Sequence, residues 1–371
     1  MLQAMFDDPG GELAILRDSV GGFAAMHPGA VVLRRKRAAA ADIDAATWKA
    51  MAEAGWTTLL LPEGRGGSGL TMREQAVLSE ALGRHLISEP TAVLCVFAGT
   101  ILAEAPESSE TLRLAAGLAA GAEFISPAWL DATAPLRASR VGSGLSLDGS
   151  KLFVEGARSA SAFLVSADHD GEPLLLSVSA RTEGIAISER PTVDGAMIAT
   201  LRFASCRVPA ENILARGAAA SALIESATQR ARLALAAELA GVATSALERT
   251  ISYVKDRVQF GKAIASFQVV QHRLVDMWMD AELACASVVN AVESLSKADA
   301  QAGRLAVLAA KARAGDAAVS ICRRCVHLHG AMGFTDECDI GLSLKRAIAL
   351  DATLGQAETL RLEFLARERA A

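Results

Sequence analysis

The apolar positions of this chain change period twice. From Gly11 to Gly121 they recur at three- and four-residue steps, as in Trp48, Met51, Ala52 and Trp56, the spacing of one helical face. Leu59-Leu60-Leu61 leads into a glycine-rich turn, Pro62-Glu63-Gly64-Arg65-Gly66-Gly67-Ser68-Gly69, and a helix resumes through Glu80 and Leu82. His85 to Pro90 has no clean periodicity, and Thr91 to Glu104 carries no strand signal. From Ala122 to Leu214 short apolar runs take over: Leu145-Ser146-Leu147, Lys151-Leu152-Phe153-Val154, Phe163 to Val165, Leu174 to Val178, Ile185 to Ile187 and Ala199 to Phe203. Asp148-Gly149, between the first two runs, reads as a hairpin turn because glycine accepts φ > 0. From Ala218 onward the helical period returns. Phe267, Val270, Leu274, Met277, Trp278 and Ala281 form one stripe. Three or four helices of about 25–35 residues fit there, as an antiparallel bundle requires.

The expected fold is α+β and mostly helical. It has an N-terminal α-helical domain over 1–121, a small middle β-barrel or sandwich domain over 122–215, and a C-terminal four-helix bundle over 216–371. A length of 371 residues accommodates all three, since domains run to about 100–200 residues.

Composition narrows the function. A net charge of −5 argues against nucleic acid or an anionic membrane as the main partner. No apolar run reaches the ~18 residues of a membrane span; Leu233 to Val242 is interrupted by Glu238. The first residues carry Asp7 and Asp8 and no export signal, so the six cysteines are expected as free thiols in a reducing cytoplasm.

Several segments bear chemistry. Arg257-Val258-Gln259-Phe260-Gly261, Ile264, Phe267-Gln268 and Gln271-His272-Leu274-Asp276-Met277 resemble the "RxQFGxxIxxFQxxxHxLADM" segment of the acyl-CoA dehydrogenase family. His327-Leu328-His329-Gly330-Ala331-Met332-Gly333-Phe334-Thr335 resembles its "QxHGGxGFT", and Leu344-Lys345-Arg346-Ala347 the start of its last helix. Pro62 to Gly69 with Glu80-Ala81-Leu82-Gly83, Leu147 to Lys151 and Arg207 to Asn212 match further family segments in the same order.

The resemblance implies α,β-dehydrogenation of an acyl-CoA thioester. A carboxylate takes the α-proton and FAD accepts the β-hydride. Electrons then pass to electron-transfer flavoprotein. It also implies FAD sites shared between subunits, with this chain's groups on the adenosine half. Arg257 supplies a cationic fork suited to pyrophosphate. Gln268 offers amide hydrogen bonds, and Gly330 and Gly333 allow close approach of the backbone. Gln259, Phe260, His327 and His329 belong to the same cofactor set, and Phe153 and Val154 to the flavin-facing strand. Arg232 is placed on the substrate side.

The chain departs from the family at the base. The usual glutamate on the last helix falls at Gly355, and the alternative slot at Ala231. Glu238, seven residues after Ala231 and so on nearly the same helix face, is the candidate catalytic residue; a structural carboxylate paired with arginine is the competing reading. Asp351 is a weaker candidate. In the middle zone, Ser126-Pro127-Ala128-Trp129-Leu130-Asp131 replaces "TEPxxGSD" and Leu152-Phe153-Val154 replaces "WIT". One half of a shared FAD site is kept and the other eroded. That pattern resembles the short subunits of actinobacterial heterotetrameric acyl-CoA dehydrogenases of the steroid type. The expected function is thus acyl-CoA dehydrogenation as one subunit of a heteromer (or of a homomer), acting on a steroid-derived or branched acyl-CoA. The alternatives are a non-catalytic partner that completes another chain's FAD site, and a family member running a different flavin oxidation.

Two other features read as structural. Cys322-Arg323-Arg324-Cys325 with His327 and His329 lacks finger spacing, and no metal is expected. Arg34-Arg35-Lys36-Arg37 reads as a solvated helix face or a subunit contact.

Overall fold

The computed structural model describes residues 5–369. Its elements run α1 (Glu12–Met26), α2 (Gly29–Ala39), α3 (Ala45–Glu53), α4 (Met72–Arg84), a π-helical turn over Ala92–Phe97 leading into α5 (Ala98–Glu104), and α6 (Ser109–Ala119). Strands follow: β1 (Ile125–Ala128), β2 (Arg137–Val141), β3 (Gly144–Glu155), β4 (Ala162–His169), β5 (Glu172–Ser179), β6 (Ile185–Pro191), β7 (Met197–Val208) and β8 (Ile213–Arg216). The chain ends with α7 (Gly217–Asp256), the hairpin β9 (Val258–Gln259) and β10 (Lys262–Ala263), α8 (Gln268–Leu295), α9 (Ala300–His329), α10 (Asp339–Ala352) and α11 (Ala357–Arg369). No helix of the described residues is long and apolar enough to cross a membrane. Two compact units result: Met1–Arg35 with Met72–Ser88 and Arg232–Ala371, and Lys36–Thr71 with Glu89–Ala231.

The second unit holds the strands. They form one sheet in the order β6-β7-β3-β2-β4-β5-β8, with β1 parallel to β4. Its ends β6 and β8 do not pair, so the expected barrel does not close; the middle zone is an open sheet. Leu147, Phe163, Val165, Leu176 and Leu201, each 1% exposed or less, sit in its core. The hairpin expected at Asp148-Gly149 is also corrected. β3 runs straight through these residues, and the register against β7 shifts there as a bulge. Gly149 takes φ +140, and Asp148 Oδ1 accepts from Ser205 N at 2.7 Å. The glycine therefore serves a bulge rather than a turn.

Buried charge ties this unit together. Lys151 is fully buried, and its Nζ donates to Asp131 Oδ1 at 2.6 Å and Ser166 Oγ at 2.7 Å. Lys36 is buried against Glu89 at 3.2 Å, so it does not belong to the solvated face expected for the basic cluster.

The expected bundle is built from three long helices, α7 (40 residues, of which 232–256 belong to the first unit), α8 (28) and α9 (30), and two short ones, α10 (14) and α11 (13). Arg34 of the basic cluster pairs with Asp339 at 2.8 Å. α4 crosses α7 backbone to backbone. A Cβ on Gly241 would lie 2.0 Å from Glu80 O, and one on Gly83 2.2 Å from Glu238 O. Neither carbonyl can move without displacing its helix. On α9, Lys311 is fully buried on the apolar stripe of Leu308, Gly315, Ala318 and Cys322. Burial draws its pKa down to about 8 against the pull of Asp351.

Two outcomes follow. Gly241→Ala should cost roughly 1–3 kcal/mol by overpacking the crossing, seen as a lower thermal midpoint with unchanged helical circular dichroism. Lys311 has a folded pKa below its unfolded value, so above about pH 8 the native state releases a proton that the unfolded chain keeps. Stability should then rise with pH from about 8 toward 10.5. Lys311→Met should flatten that rise in urea titrations at stepped pH.

Candidate functional site

The segment after α7 is built for exposure. Arg257 Oand Tyr253 O anchor the entry: Arg257 N donates to Tyr253 O, and Ile264 N to Arg257 O, both at 2.9 Å. Between them the β9–β10 hairpin lifts Phe260 to its tip, 91% exposed with φ +53. Phe267 meets Phe260 edge-on at 6.1 Å and lies under the Lys262 ammonium at 4.4 Å. Gln268 then opens α8, whose N-cap Phe267 gives no side-chain hydrogen bond. The exposed side chains of Arg257, Gln259 and Gln268 make no hydrogen bond or ion pair with any described residue. A guanidinium and two amides left free beside a helix N-terminus, whose orphan N–H groups favour negative charge, fit the pyrophosphate of FAD.

The end of α9 is more mixed. Gly330 adopts φ 66 and ψ −143, and a Cβ there would meet nothing within 4 Å. That backbone can approach a ligand closely. Gly333 has another reason to be glycine: its Cβ would lie 2.6 Å from Val326 O. His329 is buried; its Nδ1 lies 2.9 Å from Cys325 O, and its ring stacks on Tyr253 at 4.2 Å. His327 is exposed and accepts from Arg273 at 3.2 Å. Cys322 and Cys325 are buried in mid-helix, and burial pushes both thiols up, Cys325 to about 11. Neither is a thiolate near neutral pH. No group of three or more metal-ligating side chains occurs among the described residues.

In the other unit, Phe153 sits at the second bulge of β3 with φ +55 and is 65% exposed. Val154 turns into the sheet core, 1% exposed, which leaves only its backbone to contact a cofactor.

Glu238 is 3% exposed on α7, and its Oε1 accepts from Arg346 Nη2 at 2.6 Å and Nε at 3.0 Å. This is the geometry of a buried ion pair, with the guanidinium bound at Oε1. Arg232 is also committed within the unit. Its Nε donates to Leu354 O at 2.9 Å, and its two Nη atoms to Glu363 at 2.9 and 3.2 Å. Lys311 Nζ donates to Asp351 O at 3.0 Å and Gly355 O at 3.3 Å. Asp351 Oδ1 is buried without a hydrogen-bond partner, and burial raises that carboxyl against the pull of Lys311. Reading the sequence missed Lys311, Glu363 and the role of Arg346. A lysine on the apolar stripe of α9 was the available signal for the first; the other two pair over more than 100 residues of chain.

Comparisons with known proteins bear on these sites. Residues 11–107 match the acyl-CoA dehydrogenase N-terminal domain, and 221–368 the acyl-CoA dehydrogenase C-terminal domain. The acyl-CoA dehydrogenase IpdE2 of Mycobacterium tuberculosis is 27% identical, covering 91% of this chain and 92% of that protein. A variant of the Tcur3481–Tcur3483 steroid ACAD superposes with TM-score 0.86 at 29% identity, covering 98% of this chain and 99% of that one. The ChsE4–ChsE5 complex of Mycobacterium tuberculosis shares the fold, with TM-score 0.89 at 23% identity over 99% of each chain. The chain belongs to the acyl-CoA dehydrogenase family, whose members are FAD-dependent oxidoreductases.

Proposed function

We propose that this chain is one subunit of a heteromeric acyl-CoA dehydrogenase, supplying the adenosine half of a shared FAD site while a partner chain supplies the catalytic base. The observation that carries this reading is a contrast between exposed and buried groups. Arg257, Gln259 and Gln268 stand free and exposed, whereas Gly355 and Ala231 have no carboxylate and Glu238 is bound to Arg346. When bound, FAD would accept the β-hydride of the acyl group. Arg257 would hold its pyrophosphate, Gln268 would hydrogen-bond the cofactor, and the Gly330 backbone would lie against it. Glu238 then acts as the buried counter-ion of Arg346.

The outer face of α8 supports assembly. Val275, Trp278, Met279 and Leu283 lie exposed one to two turns apart, 47–57% open. An apolar helix stripe of this kind fits a subunit contact, with a second acyl-CoA dehydrogenase chain or another copy as the occupant. Of a steroid-derived or a branched acyl-CoA as substrate, the likeness to the steroid ACAD lends support to the first. Electron-transfer flavoprotein is the expected acceptor. Six free cysteines fit the reducing cytoplasm.

Expression alone and together with a base-carrying acyl-CoA dehydrogenase chain tests the proposal. Little bound FAD and no turnover are expected alone, whereas the complex should turn over and hold about half an FAD per chain. Full FAD occupancy and turnover from this chain alone would overturn it. Arg257→Met should weaken FAD binding by at least tenfold by fluorescence titration, without moving the apo thermal midpoint. Glu238→Gln should destabilise by roughly 3–5 kcal/mol, as loss of one partner of a buried pair does, with turnover per folded complex changed less than threefold. A base would instead lose 10²–10⁴ in rate.

A further inference from the structure

The turn between α10 and α11 is bound by cations from two other helices. Thr353 to Gln356 connects them, with Leu354 at φ +58 and Gly355 at φ +113, both in the left-handed region. Leu354 O receives Arg232 Nε from α7 at 2.9 Å. Gly355 O and Asp351 O receive Lys311 Nζ from α9 at 3.3 and 3.0 Å. These are carbonyls at a helix C-terminus, where positive charge is favoured. Arg232 is fixed in turn by both oxygens of Glu363 on α11, which also accepts from Arg367 Nε at 3.0 Å. α7, α9 and α11 are thereby joined at one four-residue turn.

That turn contains the position at which the family's last-helix base would stand. A Cβ on Gly355 would meet Leu360 Cδ2 at 2.7 Å and Cγ at 3.2 Å, and Arg232 Nη2 at 3.7 Å. The space in front of the glycine is thus already filled by an apolar side chain and a guanidinium. Glu363 is the carboxylate bonded to that guanidinium. Burial alone would raise its carboxyl, but Arg232 and Arg367 override this and hold it below the usual carboxylate range. A carboxylate held so low is a weak proton acceptor.

We infer that Lys311, Arg232 and Glu363 convert the base-bearing turn into a structural joint, so that an acyl site formed around this turn is catalytically silent. Lys311 and Arg232 act as positioning residues on the turn, and Glu363 is the counter-ion that keeps Arg232 there. The inference rests on the subunit reading above and deepens it: the chain lacks a base and is also built against regaining one.

Hydrogen–deuterium exchange and turnover on the full-length protein purified with FAD test this. In Lys311→Met and in the milder Glu363→Gln, amides of residues 353–357 should exchange at least tenfold faster, while those of α8 stay unchanged. Glu363→Gln should leave whatever acyl-CoA turnover the preparation has within threefold, and Gly355→Glu should not raise it. A hundredfold loss of turnover in Glu363→Gln with unchanged exchange would make Glu363 the base and overturn the inference. So would a tenfold gain from Gly355→Glu, or unaltered exchange in Glu363→Gln. Full activity of the wild-type chain alone would end the subunit reading, and the exchange comparison would still decide the joint.

Discussion

Where α4 and α7 cross, Gly83 and Gly241 let each helix rest on a carbonyl of the other. Much of the first unit follows from this contact. With the backbones touching, no solvent reaches the α7 residues beside the crossing, and Glu238 is one of them. A carboxylate placed there must be paired, because an isolated buried charge is too costly to keep. Arg346 arrives from α10 to pair it, which fixes α10 against α7. The close crossing therefore binds together the helices that border the family's base position, and it places Glu238 in a buried ion pair with Arg346. Glu80, on α4 at the same crossing, is raised by burial despite Arg84 and Arg17 nearby.

Charge elsewhere in the unit divides into two sets. Arg232, Arg346 and Lys311 are each buried and each held by a carboxylate or by backbone carbonyls. Arg257 is solvent-exposed and has no side-chain partner among the described residues. A buried guanidinium released from its partner would leave a carboxylate uncompensated, so the first set cannot readily be lent to a ligand. An exposed one loses only water when it meets phosphate and gains a bidentate contact. The exposed guanidinium is thus open to an anionic ligand, and the buried cations are held by their own ion pairs and carbonyls.

The order of helical, strand and helical zones was legible because period is a local property, and 2.0 and 3.6 are easily told apart. Closure of the sheet was not legible, since it depends on whether β6 and β8 meet, and nothing local encodes that. Asp148-Gly149 misled for a related reason. The same pair that makes a hairpin turn also tolerates a bulge, and the choice lies with β7, which supplies Ser205 N to Asp148. In the site, the exposed set Arg257, Gln259, Phe260 and Gln268 was readable as a contiguous motif. Gly333 was readable as a required glycine, and what the sequence did not show is that a Cβ there would lie 2.6 Å from Val326 O. The pairing of Glu238 with Arg346 spans 108 residues, and the arginine that sequence suggested by name, Arg232, binds Glu363 instead.

On the proposed subunit reading, the closed turn has a physical logic. A subunit that completes a neighbour's cofactor site must hold its helices in register, yet it need not open its own base position. Replacing a glutamate that must stay available with a glycine at φ +113, packed on Leu360 and tied through its carbonyl to a buried lysine, increases rigidity at that point. A catalytic turn could not tolerate this, because its carboxylate has to face substrate with a pKa free to rise. The same four residues cannot serve both ends, and here the hydrogen bonds favour the joint.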